Sequence, residues 1–164
     1  MQLNNLEDLF VEQCRDLYDA ENQLIKALPK MAKASHCGEL RSAFEEHLEQ
    51  TKHQAQRLEQ IFSSLGKKPT GVTCKAMEGL VKEGAEMIGE WGNDDVRDAG
   101  LIACAQRVEH YEMAGYGAAR TWAQQLGKFE AARLLEETLA EEKHADEKLN
   151  TIAESKVNVQ AAHA

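Results

Sequence analysis

The sequence predicts an all-α fold, a four-helix bundle running up-down-down-up with one long crossover that carries a short extra helix. Helix formers dominate the 164 residues, Pro occurs only at positions 29 and 69, and alternating β-branched runs of strand length are absent. Four long segments repeat apolar residues at spacings of three and four, the period of one helix face. The joins between first and second and between third and fourth segments are short, and the middle one is long.

The first helix, about 3 to 35, carries Leu6, Phe10, Leu17, Leu24, Leu28 and Met31 in one row, with Glu21 in the same row. Pro29 removes a backbone donor and predicts a bend near Ile25, and His36, Cys37 and Gly38 end the segment. The second, about 39 to 65, shows Phe44, Leu48, Thr51, Ala55, Leu58, Phe62 and Leu65 on one face, with His47, Gln50 and Gln54 along its flank. Gly66 closes it, and GKKPTGVT (66–73) is a loop. Residues 75 to 91 predict the short crossover helix. The third long helix starts at an Asn93-Asp94 cap and runs to Leu126, with Gly127 as its stop. Its inner stripe reads Leu101, Ala105, Glu109, Glu112, Tyr116, Ala119, Ala123 and Leu126. The fourth, about 129 to 154, carries Leu135, Thr138, Leu139, Glu142, Asp146, Leu149 and Ile152. Residues 1–155 read as the bundle domain, and the tail from 156 to 164 as a frayed end. Two antiparallel pairs joined by a long crossover are the ferritin-like arrangement.

Composition narrows the partners. A net charge of −9, spread along the helices, argues against nucleic acid and anionic membranes. The start, MQLNNLEDLF, has no basic n-region and no apolar run of signal-peptide length, which predicts a cytoplasmic protein. Cys14, Cys37, Cys74 and Cys104 are too widely spaced for a zinc ribbon, and Cys14 and Cys104 fall on apolar stripes as core residues.

The chemistry resides in acids that occupy core positions. Glu21, Glu109, Glu112, Glu142 and Asp146 interrupt the apolar rows of three helices. Burying one ionised carboxylate without a partner costs several kcal/mol, so such a cluster takes up protons or binds metal. Glu109 and Glu112 are one helical turn apart and can chelate or bridge neighbouring ions. On the fourth helix Glu142 and Asp146 align with Leu135, Leu139 and Leu149, while Glu141 and His144 form an alternative pair one step round the cylinder. On the second helix His47 faces inward best, and Gln50 with His53 is the nearest match to the Glu-x-x-His that such a bundle site uses. The metal ligand candidates are therefore Glu21, His47, Gln50, Glu109, Glu112, Glu142 and Asp146. A carboxylate-rich, imidazole-poor set without thiolate suits two Fe or Mn ions, with oxygen or peroxide as a possible substrate. Tyr18, Tyr111 and Tyr116 are possible neighbours of such a centre, or simply packed residues.

The segments DLYDAENQL (16–24), AFEEHLEQTKHQ (43–54), KAMEGL (75–80), VRDAGLIACAQRVEHYEMAGYG (96–117) and ETLAEEKHADEKL (137–149) resemble the YciE/YciF family of bacterial ferritin-like proteins over nearly the whole chain. The resemblance implies a rubrerythrin-like dinuclear site, a homodimer and a link to bacterial stress response, and it supplies no reaction. Carried over by position, it implies Glu21, Glu109, Glu112 and Glu142 as ligands, and a Glu where this chain has Gln50. A neutral amide is a weaker, non-bridging ligand, which implies incomplete occupancy of one metal position. Two functions follow: a ferroxidase-like or catalase-like dinuclear protein, or a non-catalytic metal-binding or structural dimeric bundle with a degenerate site. Iron storage fits less well, because nothing in the chain specifies a cage.

Overall fold

The computed structural model describes residues 4–164, all of it helix and short connections. The elements are α1 (Leu6–Ala34), α2 (Gly38–Ser64), α3 (Lys75–Gly89), α4 (Asp94–Gln125), α5 (Phe129–Ile152), a π-helical turn (Ala153–Val157) and α6 (Asn158–Ala161). The helices α1 and α2 form one antiparallel pair, α4 and α5 the other; α1 packs on α4, α2 on α5, and α3 lies across α1 and α4. This is the up-down-down-up bundle with a helix in its crossover.

Local chemistry sets the ends. Asn5 Oδ1 accepts from Asp8 N at 2.8 Å to start α1, and Asn93 Oδ1 accepts from Asp95 N at 2.8 Å to start α4. The helix α1 continues through an exposed Pro29 to Ala34. Gly66 and Gly127 have φ of +62° and +69°, which lets the chain turn back onto the last helical carbonyls. Lys67 N donates to Phe62 O at 3.0 Å and Lys128 N to Ala123 O at 2.8 Å, the six-to-one bond that satisfies an otherwise orphaned carbonyl. The start of α2 lacks a side-chain cap of its own. Instead Asp98, fully buried on α4, accepts from His36 N at 3.0 Å and Cys37 N at 2.6 Å, so one pair of the bundle is fastened to the other at this corner.

The apolar core comes in two blocks. Leu24, Leu28, Leu40, Phe44, Met77 and Leu101 belong to one, and Phe10, Leu17, Leu58, Phe62, Tyr116 and Leu135 to the other. In each long helix buried polar residues mark the place where one block gives way to the other in sequence: Glu21 on α1, His47, Thr51 and Gln54 on α2, Glu109 and Glu112 on α4, Glu142 on α5; Asp98 and Thr138, also buried, lie outside this set. Two dry ends therefore clamp a polar belt. Close approach of α1 and α4 at this level depends on Gly115, where an added Cβ would sit 2.8 Å from Leu17 Cδ2.

The tail departs from expectation. Instead of fraying past Ser155, the chain continues through the π turn into α6, and Val157 is 1% exposed against the first core block. Ala153 and Val157, four residues apart, share one face of the continuing helix and are both buried.

Candidate metal centre

Four side chains from three helices, His47, Glu109, Glu112 and Glu142, each offer a ligand atom within 4.8 Å of the others, and all four are buried. Each projects from mid-helix, where apolar neighbours a turn away hold the backbone rigid. His47 Nε2 lies 3.3 Å from Glu109 Oε1 and 3.7 Å from Glu142 Oε2, in an orientation that makes a hydrogen bond to neither. Its other nitrogen, Nδ1, is 3.3 Å from Gln50 Oε1. An amide oxygen there fixes the hydrogen on Nδ1 and leaves the Nε2 lone pair facing the carboxylates, the orientation that a metal-ligating imidazole takes.

Glu21 completes the belt from α1. It is fully buried, Tyr116 donates to its Oε1, and its Oε2 has no partner. Across Glu21, His47, Glu109, Glu112 and Glu142, seven buried polar atoms lack a hydrogen bond: Glu21 Oε2, His47 Nε2, Glu109 Oε2 and both oxygens of Glu112 and of Glu142. Buried polar groups are paired in almost all native proteins, and unpaired acceptors concentrated at one level of a bundle fit cations. The donor set, carboxylate oxygens with one imidazole, matches the hard ions iron and manganese.

Electrostatics agree with that reading. Burial, reinforced by Glu142, holds the Glu21 carboxyl well above the usual carboxylate range. Burial with Glu21 and Glu142 does the same to Glu112, and burial with Glu109 does so to Glu142, opposed by His47. Glu109 is pushed up to about 7, mainly by burial. Without metal, the belt keeps protons at neutral pH that ordinary carboxyls would have released.

The other two candidates stand differently. Gln50 is half-buried and its oxygen faces His47 Nδ1, so it orients the imidazole and points that oxygen at the ring, not at the glutamates of the four. Asp146 lies outside the group of four: it is half-buried, accepts from Gln106 Nε2 at 3.2 Å and faces His110 Nε2 at 3.3 Å. Four residues advance a helix by slightly more than one turn, enough to carry Asp146 to the rim. The alternatives are also outside: His53 and His144 are exposed, and Glu141 is held by Arg57.

Of the tyrosines, Tyr116 touches the belt through Glu21, Tyr18 donates to Glu59 at 2.8 Å, and Tyr111 donates to Asp16 beside Cys74. The four cysteines are buried and free, and burial pushes the Cys14 thiol up to about 12.

A family description, "Domain of unknown function (DUF892)", matches residues 5–162. The chain belongs to the DUF892 family. Within it, the chain is 46% identical over 162 residues to protein YciF of Escherichia coli strain K12, covering 98% of each. The crystal structure of the E. coli stress protein YciF superposes with a TM-score of 0.91 at 47% identity, covering 94% of this chain and 98% of that one. The structure of YcfI from Rhodopseudomonas palustris gives 0.89 at 46%, covering 93% and 97%. These matches bear out the YciE/YciF resemblance and the helical bundle.

Two residues of this DUF892 bundle escaped the sequence reading. Gln54, placed on a flank by periodicity, is fully buried; its Nε2 donates to Glu141 Oε2 at 3.0 Å and its Oε1 has no partner. Arg57 reaches from α2 to α5, with Nη1 and Nη2 each 2.7 Å from one Glu141 oxygen and Nη1 3.2 Å from Thr138 Oγ1. It sets a cation at the edge of the acidic belt and favours the ionised form of Glu21. The available signal was the spacing of Gln54 and Arg57 from His47, seven and ten residues, which keeps all three near one helix face.

Proposed function

We propose that this protein is a dinuclear iron or manganese carboxylate protein that acts on oxygen or peroxide, in a bacterial stress response of the kind named for its E. coli relative. The observation that supports it is the set of unpaired acceptors shared by Glu21, His47, Glu109, Glu112 and Glu142. Those five residues would hold the ions, and the ions, once bound, would supply redox chemistry and Lewis acidity.

The chain's own groups prepare the site. Gln50 fixes the His47 tautomer, Tyr116 holds one Glu21 oxygen so that the other faces inward, and the apolar blocks exclude bulk water. Glu109 and Glu112, on adjacent turns of one face of α4, would both be offered to the ions. Loading requires the carboxyls to release the protons that burial makes them keep, so affinity rises with pH.

Metal analysis by equilibrium dialysis, followed by assays of Fe(II) oxidation and peroxide consumption, tests the reading. Close to two ions per chain with turnover supports it, and a fully loaded but inert protein sinks it. A non-catalytic bundle is the second reading, favoured by Gln50, a neutral amide spent on His47. It expects bound metal without turnover. We place two copies in the functional particle, with Trp91, 99% exposed beside α3, as the contact; sizing chromatography of the wild type against Trp91→Ser checks this.

A further inference from the structure

A cavity of about 210 Å³ lies between α1, α3 and α4. Its walls are apolar, including Leu24, Leu28, Met31, Leu80, Ile88 and Val108, and His47 and Glu109 also line it. It therefore runs up to the belt. On its exposed side stand Lys26 and Lys30, one turn apart on α1. Among the described residues neither has an ion-pair partner, which is equally true of Lys33, Lys67, Lys68, Lys75 and Lys143; what sets Lys26 and Lys30 apart is their place on the cavity lining.

We propose that this cavity binds a medium-chain fatty acid, its carboxylate at Lys26 and Lys30 and its methyl end toward His47 and Glu109. Apolar walls take a hydrocarbon chain, unpaired lysines at the open side take an anionic head, and the order of the two fixes the direction of entry. An apolar cavity of about 150 Å³ holds benzene, so this one takes a chain of about eight carbons. The helix α3, with only Met77 and Gly84 buried, forms the outer wall, and its half-buried Leu80, Val81 and Ile88 are the side chains that a guest would cover. The inference deepens the metal reading, because it names the molecule that would lie against that centre, and the binding itself does not depend on metal.

Calorimetric titration of octanoate into metal-free full-length protein, with octanol as the uncharged control, tests it. Saturable binding is expected, about fourfold tighter for each methylene added up to the octyl chain, with octanol at least tenfold weaker. The double substitution Lys26→Glu/Lys30→Glu should weaken octanoate at least tenfold and leave octanol unchanged. Gly84→Leu should weaken both: its Cβ would meet Met31 Sδ at an ordinary 3.6 Å, and its outer carbons would enter the cavity. An unchanged helical circular-dichroism spectrum confirms that each variant is folded. Absence of saturation, equal affinity for octanol, indifference to the charge reversal, or binding to anionic vesicles alone overturns the proposal. In Mn(II)-loaded protein, the octanoate methyl protons should relax faster than the α-methylene protons; the opposite order overturns the direction of entry. Failure of Mn(II) to bind while octanoate still does sinks the metal reading alone.

Discussion

At the scale of single residues, the decisive contrast is between Glu112 and Gln50. Neither oxygen of Glu112 has a partner, and burial holds its carboxyl well above the ordinary range, so the metal-free fold carries it protonated. Glu112→Gln keeps the shape and removes the titration. The expected outcome is metal affinity at least tenfold lower, with a metal-free protein stabilised by about 1 kcal/mol at neutral pH because one buried acid no longer resists ionisation; paired melts with metal and with chelator read both effects. Gln50 acts through His47. Gln50→Leu removes the acceptor at Nδ1 and is expected to weaken metal binding by about 10–100-fold, measured by competition with a chromophoric chelator, and to cost the metal-free fold about 1 kcal/mol for the donor left unpaired. An undiminished affinity in that variant would make Gln50 a bystander.

Whole elements show why Asp98 and the tail matter. Asp98 belongs to α4 yet holds the backbone where α1 turns into α2, through two charge-assisted hydrogen bonds. Asp98→Ala leaves two backbone donors near the start of α2 without that acceptor. A loss of about 3 kcal/mol in urea unfolding is expected, with an unchanged m-value if the transition stays cooperative. At the other end, Val157 is nearly fully covered. Truncation after Ser155 uncovers the core block against which it packs, and is expected to cost about 2 kcal/mol. A truncated protein as stable as the full chain would return the tail to the frayed end that its composition predicts.

At the scale of the molecule, the belt couples stability to pH, and on the proposed function it would couple both to metal. Glu109 has a folded-state pKa of about 7 against an ordinary 4.5, and Glu21, Glu112 and Glu142 are shifted in the same direction. The folded chain thus holds protons that the unfolded chain has already released. Its full contribution is present below about pH 4.5 and is lost as pH rises through about 7 for Glu109. In chelator, the thermal midpoint should fall across that window. With Mn(II) or Fe(II) present the fall should shrink or reverse, because metal replaces the protons, and bound ligand raises stability by mass action. Parallel pH profiles with and without metal would expose a belt that binds nothing.

Legibility differed between the helices for a physical reason. On α1, α4 and α5 the in-row acids Glu21, Glu109, Glu112 and Glu142 interrupt clear apolar stripes, and the burial of all four follows from periodicity. On α2 the stripe residues Phe44, Thr51, Ala55, Leu58 and Phe62 are buried as read, but Leu48 and Leu65 are only half-buried, while Gln54, read along the flank, is fully buried and His47, read on the flank yet facing inward best, is buried too. A small rotation of a helix about its axis exchanges its boundary residues, and periodicity cannot resolve it.

By itself, the sequence determined the four long helices and the crossover helix, the Asn93 cap and the Gly66 and Gly127 stops, the order of these helices, and the presence of carboxylates at core positions, because each of these depends on local spacing and backbone chemistry. Only the tertiary structure decided that Gln50 faces His47 Nδ1, that Asp146 lies outside the four, that Arg57 pairs with Glu141, and that the tail docks through Val157. Those outcomes depend on the rotation of each helix against its neighbours, which the packing of the whole bundle sets.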